Sequence, residues 1–339
     1  MSNKIAVIIP VFNTEKYIRE CLDSVLGQTW TDLTVYAVND GSSDKSGEIL
    51  DSYAKKDSRI HVIHKSNGGA SCARNVALDA IYYESNEQFE FIHFFDSDDI
   101  LDSAAYETAI HLMNLHSADY AMLPVMRFDQ KGTLDDKSQS HLSVLSGQNE
   151  IASCFFQQKA FSSNLYRLRG LGNKIFRANL LLDIRFNLNL EKTEDQDLFL
   201  RILPKLKKGL TVPDHFLHYR QRNSSLCHQS TSNGDLQVFS ELYFHPLEQY
   251  SELTNQLIQH NYIKSLINEY LQALLNDSQN TKYLANQAKA LMRNSKYRIS
   301  FQMKRKLLMC LLPRVIPLRY ANYRIKKKTQ QKQEINNFE

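Results

Sequence analysis

Cysteine is scarce in this sequence. The five cysteines are odd in number, lie far apart and include no C-x-x-C pair (Cys21, Cys72, Cys154, Cys227 and Cys310). This spacing argues against a disulfide framework and against a cysteine-based zinc site. Because disulfides are rare where thiols are kept reduced, it also indicates a reducing compartment.

Long apolar runs are absent as well. No stretch approaches the roughly 18 apolar residues that identify a membrane-spanning helix. Near the N-terminus only residues 5–12 are apolar, and Pro10 interrupts them, so we expect no signal peptide. The sequence therefore predicts a cytoplasmic protein, or one attached peripherally to the inner face of the plasma membrane.

Glycine is missing where a dinucleotide-binding fold needs it. The turn after the first predicted strand reads P-V-F-N-T-E, whereas a Rossmann domain has G-x-G-x-x-G there. Without those glycines the backbone cannot approach a pyrophosphate in that manner. An NAD-binding domain is therefore disfavoured.

Strand and helix patterns alternate through the first 130 residues. Apolar strand patterns occupy residues 5–12, 33–38, 60–64 and 89–95, and helical patterns occupy 15–28, 49–53, 73–81 and 104–115. This alternation predicts parallel βαβ units in an open α/β sheet. Residues 130–147 are expected to form a loop or hairpin. A less regular section to about 225 and a helical section from about 236 follow.

Three carboxylates stand where the fourth strand leaves the sheet. Asp96, Asp98 and Asp99 directly follow the apolar run F-I-H-F-F. Like charges this close repel one another, and a hard divalent cation held by carboxylate oxygens would offset them. The alternative is an acidic turn that caps the next helix. In either case Asn13, Asp40, Asn67 and this cluster follow four different strands and would share one edge of the sheet.

Five segments occur in the order and spacing of a known family. They read PVFNTEKYIRECLDSVLGQT, VNDGSSDKS, NGGASCARN, FDSDD and TEDQDLFLR. With them the chain resembles family 2 glycosyltransferases over roughly residues 3–225. The resemblance implies a GT-A fold, a mostly parallel Rossmann-like sheet flanked by helices. It also implies a glycosyltransferase domain at 1–225, with a nucleotide-binding half (1–130) and an acceptor half (131–225). A helical C-terminal region, 226–339, carries no such signal.

The resemblance assigns roles to the nucleotide-binding half by motif. Asp40 resembles the carboxylate that reads uracil, and Asp98 and Asp96 match the DxD motif, whose second Asp ligates Mn²⁺ or Mg²⁺ while the first contacts the ribose. The remaining donor-binding candidates lie in the first loop and in the loop and helix start near the diphosphate and sugar (Pro10, Phe12, Asn13, Glu15, Asn67, Gly68 and Arg74). A turn role for Asp40 and a solvated helix position for Arg74 remain the alternatives from the residues alone.

The acceptor half carries a second acidic pair. Asp195, with Glu194 as second choice, resembles the general base that takes the proton from the attacking hydroxyl. From the residues alone, an acidic first turn of a helix at 197–203 is the alternative. The segment with Asn173 and Lys174 resembles one near the acceptor. Arg222 stands where relatives often have a histidine, so it could pair with phosphate oxygens but could not ligate a cation.

Acidic residues almost disappear from the end of the chain. From Lys282 onward there are 15 Lys and Arg against 2 Glu, a charge of +13, while the whole chain carries +4 and residues 1–281 therefore carry −9. This asymmetry predicts an anionic partner for the end of the chain and disfavours nucleic acid for the main body.

The segment 301–328 combines basic and apolar residues. It holds nine Lys and Arg and no acid, interleaved with leucines. That composition is typical of an interfacial membrane segment. Pro313 and Pro317 would break a single long helix, so we expect a short amphipathic helix and a kinked basic segment. The alternative is a helix that packs its apolar face on the protein.

The resemblance implies an inverting hexosyl- or N-acetylhexosaminyltransferase. Its donor would be a nucleotide sugar, most simply a UDP-sugar, and its acceptor a saccharide or lipid-linked saccharide in bacterial surface-glycan biosynthesis. One alternative is a sugar nucleotidyltransferase, although such enzymes usually have a glycine-rich basic loop where this chain reads PVFNTEK. A non-catalytic nucleotide-sugar-binding protein is disfavoured because both acidic pairs are present.

Overall fold

The structure is a computed structural model. It describes residues 3–129, 132–133, 141–157, 170–190, 193–214, 217–221, 250–275 and 280–293, together with positions 304, 307, 308, 310 and 317. The chain divides into two compact units. One comprises Met1–Cys227 with Gln249–Ser251, and the other comprises His228–Glu248 with Glu252–Glu339.

The first unit is built on two sheets. Its strands are β1 (Ile5–Val11), β2 (Leu33–Asp40), β3 (Ile60–Lys65), β4 (Phe91–Phe94), β5 (Ile100–Leu101), β6 (Tyr120–Met122), β7 (Val125–Asp129), β8 (Gly132–Thr133), β9 (Ser143–Ser146), β10 (Lys174–Arg177), β11 (Lys208–Thr211) and β12 (Leu217–Arg220). Its helices are α1 (Ile18–Leu26), α2 (Ser46–Ala54), α3 (Ala70–Asp79), α4 (Ala105–His116), α5 (Gln148–Gln157) and α6 (Glu194–Ile202).

The large sheet has the order β3-β2-β1-β4-β10-β6-β11-β9. The strands β3, β2, β1 and β4 run parallel, β10 runs antiparallel to both of its neighbours, and β6 pairs parallel with β11. The predicted α/β fold with a mostly parallel sheet is therefore confirmed. The second sheet has the order β5-β12-β7-β8 and brings β12 beside the end of the acidic turn.

Helix α1 forms because its apolar side chains recur at helical spacing. Ile18, Cys21, Leu22 and Val25 are buried on one face, against the core that β1, β2 and β4 share with α4. Because β1 pairs parallel with both β2 and β4, the carboxyl ends of these three strands lie at one edge of the sheet. The loops that follow them form the candidate site.

Two details of the predicted elements differ in the structure. Helix α6 begins at Glu194 instead of 197, because the acidic pair lies within its first turn, where a negative charge interacts favourably with the helix dipole. For the 130–147 segment the expected hairpin is found at its start, where β7 and β8 pair antiparallel, but the segment also includes β9, which pairs with β11 in the large sheet. The functional division at residue 130 stays a prediction.

The second unit contains two described helices, α7 (Glu252–Leu275) and α8 (Asn280–Arg293). Buried side chains recur along α7 at helical spacing, among them Leu266, Tyr270 and Leu274. The prediction of a helical C-terminal region is confirmed for these residues. None of the helices that the structure describes is long and apolar enough to cross a membrane.

Candidate active site

Asp40 ends β2 and organises the loop that follows β3. Lys65 Nζ donates to its Oδ1 at 2.5 Å, and the backbone N–H groups of Gly68 and Gly69 donate to Oδ1 at 2.9 Å and to Oδ2 at 2.7 Å. A carboxylate has about four lone-pair positions, and the donors in the described part of the chain occupy two on Oδ1 and one on Oδ2. Asp40 is thus both a loop anchor and a candidate acceptor for a nucleobase N–H.

The first loop is joined to the loop after β2. Asn13 Oδ1 accepts from the Ser43 N–H at 2.9 Å, and Glu15 Oε2 accepts from the Lys45 N–H at 3.0 Å. Pro10 lies within β1, and the ring of Phe12 is 49% exposed at the mouth of these loops. Asn13 and Glu15 therefore hold the two loops together, whereas Phe12 has a free apolar face.

Asn67 belongs to the same arrangement through its backbone. A Cβ atom at Gly41 would lie 2.7 Å from the Asn67 nitrogen, and Gly41 has a φ of +73°. Only glycine fits this close approach and left-handed backbone without strain. The sequence D-G at the end of β2 thus lets the Asn67 loop pack against the end of that strand.

The acidic turn follows β4 directly. Asp96 is part-exposed, and its Oδ1 accepts from Arg74 Nη2 at 3.1 Å. Asp99 is buried, and its Oδ1 accepts from the Arg220 N–H at 3.0 Å, while its Oδ2 has no hydrogen-bond partner within the described part of the chain. Burial and then the charges of Asp98 and Asp96 raise the pKa of Asp99 well above its ordinary value.

Arg220, on β12, is hydrogen-bonded to this turn. Its Nε donates to the carbonyl of Asp98 at 2.8 Å, and its guanidinium lies 4.4 Å from the centroid of the Phe128 ring. It also forms an ion pair with Glu20 of α1. Arg220 stands two positions before Arg222, and no role was expected for it from the sequence.

Arg74 on α3 connects the two acidic pairs. Its guanidinium lies 3.1 Å from Asp96 Oδ1, 3.1 Å from Glu194 Oε1 and 3.3 Å from Asp195 Oδ1, and it stacks over the Phe186 ring at 5.2 Å. Burial works to lower the pKa of Arg74, but the three carboxylates outweigh burial and raise it. The guanidinium therefore stays charged between the Asp96 carboxylate and the Glu194–Asp195 pair.

Glu194 and Asp195 both form an ion pair with the Arg74 guanidinium. Burial and the neighbouring Asp195 charge raise the pKa of Glu194 to about 7, while Arg74 opposes them. Burial also raises the pKa of Asp195, again against Arg74. Asp195 Oδ2 accepts from the Leu171 N–H at 3.1 Å, and its side chain is 21% exposed against 13% for Glu194. Asp195 is thus oriented by a backbone hydrogen bond and has the more exposed side chain of the pair.

Lys174 lies inside the protein instead of on an open surface. Its Nζ donates to the carbonyl of Gly170 at 2.6 Å and to Asn173 Oδ1 at 2.8 Å. Burial lowers the pKa of Lys174 to about 8. Asn173 in turn donates to the carbonyl of Leu123 at 2.9 Å. These contacts fix the segment next to Asp195, and a ligand contact of Lys174 stays a prediction.

Arg222, expected to pair with phosphate, lies outside the described residues. His218 of β12, four positions before Arg222, pairs through Nε2 with Asp102 Oδ1 at 2.7 Å. Within the described part of the chain, no group of three or more His, Cys, Asp or Glu side chains is arranged to hold a metal ion by itself.

Residues 6–180, just over half of the chain, match the model of glycosyl transferase family 2. The chain belongs to this family. A family relative described as uncharacterized glycosyltransferase EpsJ of Bacillus subtilis is 45% identical over 103 residues, which are 30% of this chain and 28% of that protein. The minor teichoic acid biosynthesis protein GgaB of the same organism is 26% identical over 241 residues, 69% of this chain and 25% of that protein. The chain thus spans about a quarter of the length of these two relatives.

The family fold is found in a solved structure. S. aureus TarS 1–349 in complex with UDP-GlcNAc superposes with a TM-score of 0.70 at 19% identity, covering 96% of this chain and 92% of that chain. At this identity the likeness shows a shared fold. The GT-A fold expected from the motifs is confirmed.

A divalent cation, which family 2 enzymes often use, fits the donor set chemically. Asp96 and Asp98 offer hard carboxylate oxygens, and their charges, after burial, raise the pKa of the neighbouring Asp99, whose Oδ2 has no hydrogen-bond partner within the described residues. A cation at this turn would offset the repulsion among these carboxylates. Mg²⁺ is commonly held by one or two carboxylates together with substrate phosphates. A cluster made of three protein ligands is therefore not required.

Proposed function

We propose that this chain is an inverting glycosyltransferase that moves a sugar from a UDP-sugar to a saccharide acceptor. Family membership supports the transfer chemistry. The single observation that carries the proposal is Arg74, whose guanidinium contacts Asp96 on one side and the Glu194–Asp195 pair on the other. Arg74 thereby places the carboxylate proposed for the donor side next to the pair proposed for the base, so that donor and acceptor would meet at one site.

The donor nucleotide would bind at the loops around Asp40. The remaining lone pair of Asp40 Oδ2 can accept from the N3–H of uracil, and the exposed Phe12 ring offers an apolar face to the base. Asn67, Gly68 and Arg74 would lie along the diphosphate and sugar. The bound nucleotide in the TarS complex, UDP-GlcNAc, supports uracil and an N-acetylhexosamine as the first donor to test.

Asp195 would act as the general base. As the acceptor hydroxyl oxygen forms its bond to the anomeric carbon, the carboxylate takes the hydroxyl proton and the bond to the diphosphate breaks in the same step. The Leu171 N–H and Arg74 orient this carboxylate and oppose the effect of burial on its pKa. Glu194 remains the second candidate because it contacts the same guanidinium.

Mn²⁺ or Mg²⁺ would be held by Asp98 and Asp96 together with the donor diphosphate. When bound, the cation supplies positive charge that offsets the negative charge developing on the leaving nucleoside diphosphate. Arg220 holds the carbonyl of Asp98 and the side chain of Asp99, so it would keep the turn in place for this role.

We further propose that the acceptor belongs to a bacterial surface glycan and that the enzyme works at the inner face of the plasma membrane. The relation to GgaB, a teichoic acid biosynthesis protein, supports a wall or surface polymer. The basic segment 301–328 supports attachment to an anionic membrane, where a lipid-linked acceptor would be found.

A panel of nucleotide sugars tests the proposal. With a true donor and a divalent cation, we expect release of the free nucleoside diphosphate and a rise in the thermal unfolding temperature, since a ligand that binds only the folded state stabilises it. The variant Asp195→Asn should bind the same donor and release little UDP. Pyrophosphate as the product would instead identify a nucleotidyltransferase, and donor binding without turnover under any condition would identify a non-catalytic protein.

A further inference from the structure

A short turn before β10, formed by Gly170, Leu171 and Gly172, lies against both acidic pairs. A Cβ atom at Gly170 would lie 3.0 Å from Asp195 Oδ2, and one at Gly172 would lie 3.5 Å from Asp96 Oδ2. The Leu171 N–H donates to Asp195 Oδ2 at 3.1 Å. The backbone of this turn therefore determines where the Asp195 carboxylate can lie.

His93 holds the turn from the neighbouring strand. It lies on β4 with no exposed surface, and its Nε2 is 2.7 Å from the carbonyl oxygen of Gly172. Its Nδ1 is 2.9 Å from the hydroxyl of Tyr106 on α4. A polar ring inside the apolar run F-I-H-F-F is costly to bury unless both nitrogens are hydrogen-bonded, as they are here.

The two partners of His93 determine its tautomer. A carbonyl oxygen only accepts, so Nε2 carries the proton and donates it to Gly172, and Nδ1 accepts from the Tyr106 hydroxyl. Burial lowers the pKa of His93 to about 4, so the ring stays neutral over the physiological range. The bond to Gly172 is consequently present at every pH at which the protein would work.

Lys174 holds the other end of the same turn. Its Nζ donates to the Gly170 carbonyl, and its backbone N–H donates to the Leu171 carbonyl at 2.8 Å. The turn is thus fixed at Gly170 and Leu171 by Lys174 and at Gly172 by His93. Between these fixed points the Leu171 N–H points to Asp195 Oδ2.

We propose that His93 is a positioning residue for sugar transfer, which holds the Gly172 carbonyl so that the Leu171 N–H orients the Asp195 carboxylate. This inference rests on the proposed function of Asp195 as the base. His93 touches neither substrate nor base and acts through the turn. No ligand contact is required of it.

Two amide substitutions separate this role from simple packing. In His93→Gln the amide nitrogen extends as far as Nε2 and can still donate to Gly172, whereas in His93→Asn the amide is one bond shorter and cannot reach it. We expect His93→Asn to lower kcat by on the order of 10²-fold with an unchanged donor KM, because a misplacement of about 1 Å can cost that much. His93→Gln should retain most of the wild-type kcat. Equal losses in both variants, or a donor KM that rises as kcat falls, would overturn the proposal.

Two glycine variants give a second test should His93→Asn fail to fold. Gly170→Ala places a methyl group in tight contact with Asp195, whereas Gly172→Ala makes an ordinary contact with Asp96. Gly170 and Gly172 do not have a positive φ, so alanine adds no backbone strain. We expect the larger fall in kcat for Gly170→Ala. An equal or larger fall for Gly172→Ala would contradict control of the base by the turn.

Hydrogen exchange distinguishes failure of this inference from failure of the proposed function. The Leu171 amide, followed by mass spectrometry of overlapping peptides that begin at least three residues before it, should exchange faster in His93→Asn than in His93→Gln. Unchanged exchange in His93→Asn would refute the positioning role, whatever the identity of the base. Wild-type turnover in Asp195→Asn would refute the base assignment, whatever the exchange result.

Discussion

Arg74 and Glu194 are separated by 120 positions in the sequence and lie 3.1 Å apart in the structure, guanidinium to carboxylate. The pair joins α3 to α6. Because Asp96 and Asp195 contact the same guanidinium, changes at one side of the site act on the charge of the other. If Asp96 faces the donor and Asp195 the acceptor, as proposed, this one side chain would couple the two.

Removing the Arg74 charge should change the pH dependence of turnover. Arg74 lowers the pKa of Glu194 and Asp195, so Arg74→Met should raise both. A base works only when ionised, so activity is present above its pKa and falls as the pH drops through it. We expect the acidic limb of a kcat–pH profile to move to higher pH in Arg74→Met.

Arg74→Lys is the matched control for that measurement. It keeps a positive charge but loses the fork that contacts three carboxylates at once. Its acidic limb should stay near that of the wild type while kcat falls. If Arg74→Met leaves the acidic limb unmoved, Arg74 does not control the ionisation of the base.

The choice between Asp195 and Glu194 can be tested directly. Asp195→Asn preserves shape but removes the proton acceptor, and loss of a general base costs roughly 10²–10⁴-fold in rate. Donor affinity, measured by calorimetry, should change little because the base faces the acceptor. Glu194→Gln should lose less activity. The reverse ranking of the two variants would make Glu194 the base.

Activity should depend on a divalent cation and on Asp98. We expect a chelator to abolish transfer, and added Mn²⁺ or Mg²⁺ to restore it. Asp98→Asn should stay inactive at every cation concentration, because an amide is a weaker ligand than a carboxylate for hard cations. Asp183→Asn, at an exposed position outside the site, is the control for charge loss. Full activity in chelator would exclude the cation role of the acidic turn.

Much of the fold of the first 130 residues could be predicted, because its strands and loops are indicated by short sequence patterns. The strands end at polar residues, and parallel pairing alone brings Asp40 and Asp96 to one edge of the sheet. The two glycines after Asn67 likewise predict a loop. The sequence does not show which groups these polar side chains contact. Asn13 and Glu15 accept hydrogen bonds from backbone N–H groups of the loop after β2, and this depends on how the two loops pack together.

Contacts between distant segments could not be predicted from one sequence. Arg220 reaches Asp98 across 122 positions, and His93 reaches Gly172 across 79. His93 does leave one local signal, a polar residue in the middle of an apolar strand. A polar side chain buried in this way requires a hydrogen-bond partner. The signal does not say which residue the partner is.

The nucleobase preference should depend on Asp40. Uracil has an N–H at N3, whereas cytosine has an acceptor there, so a carboxylate favours uracil and an amide can donate to cytosine. We expect Asp40→Asn to lower the ratio of UDP to CDP affinity, measured by calorimetry. Lys65→Met removes the ion-pair partner but keeps the carboxylate, so it should retain the preference for UDP. An unchanged ratio in Asp40→Asn would exclude base reading by this residue.

The basic segment 301–328 should bind anionic vesicles in a salt-dependent manner. Among its described residues Leu307 and Cys310 are buried, which favours packing of part of its apolar face on the protein, whereas Leu308 is 45% exposed. Truncation near residue 300 would remove the buried side chains as well as the charge. A charge variant, Lys327→Gln with Lys328→Gln, therefore gives the cleaner test.

Each Lys or Arg near an anionic leaflet contributes on the order of 1 kcal/mol, so loss of two should weaken vesicle partitioning by about 2 kcal/mol, or roughly 30-fold. Lys55→Gln with Lys56→Gln removes the same charge from exposed positions after α2, outside the basic segment, and should leave partitioning unchanged if that segment carries the contact. Sedimentation with vesicles of increasing phosphatidylserine content, at low and high salt, measures both pairs. If the two double variants sediment alike, the segment does not carry the membrane contact, and its apolar residues serve packing within the protein alone.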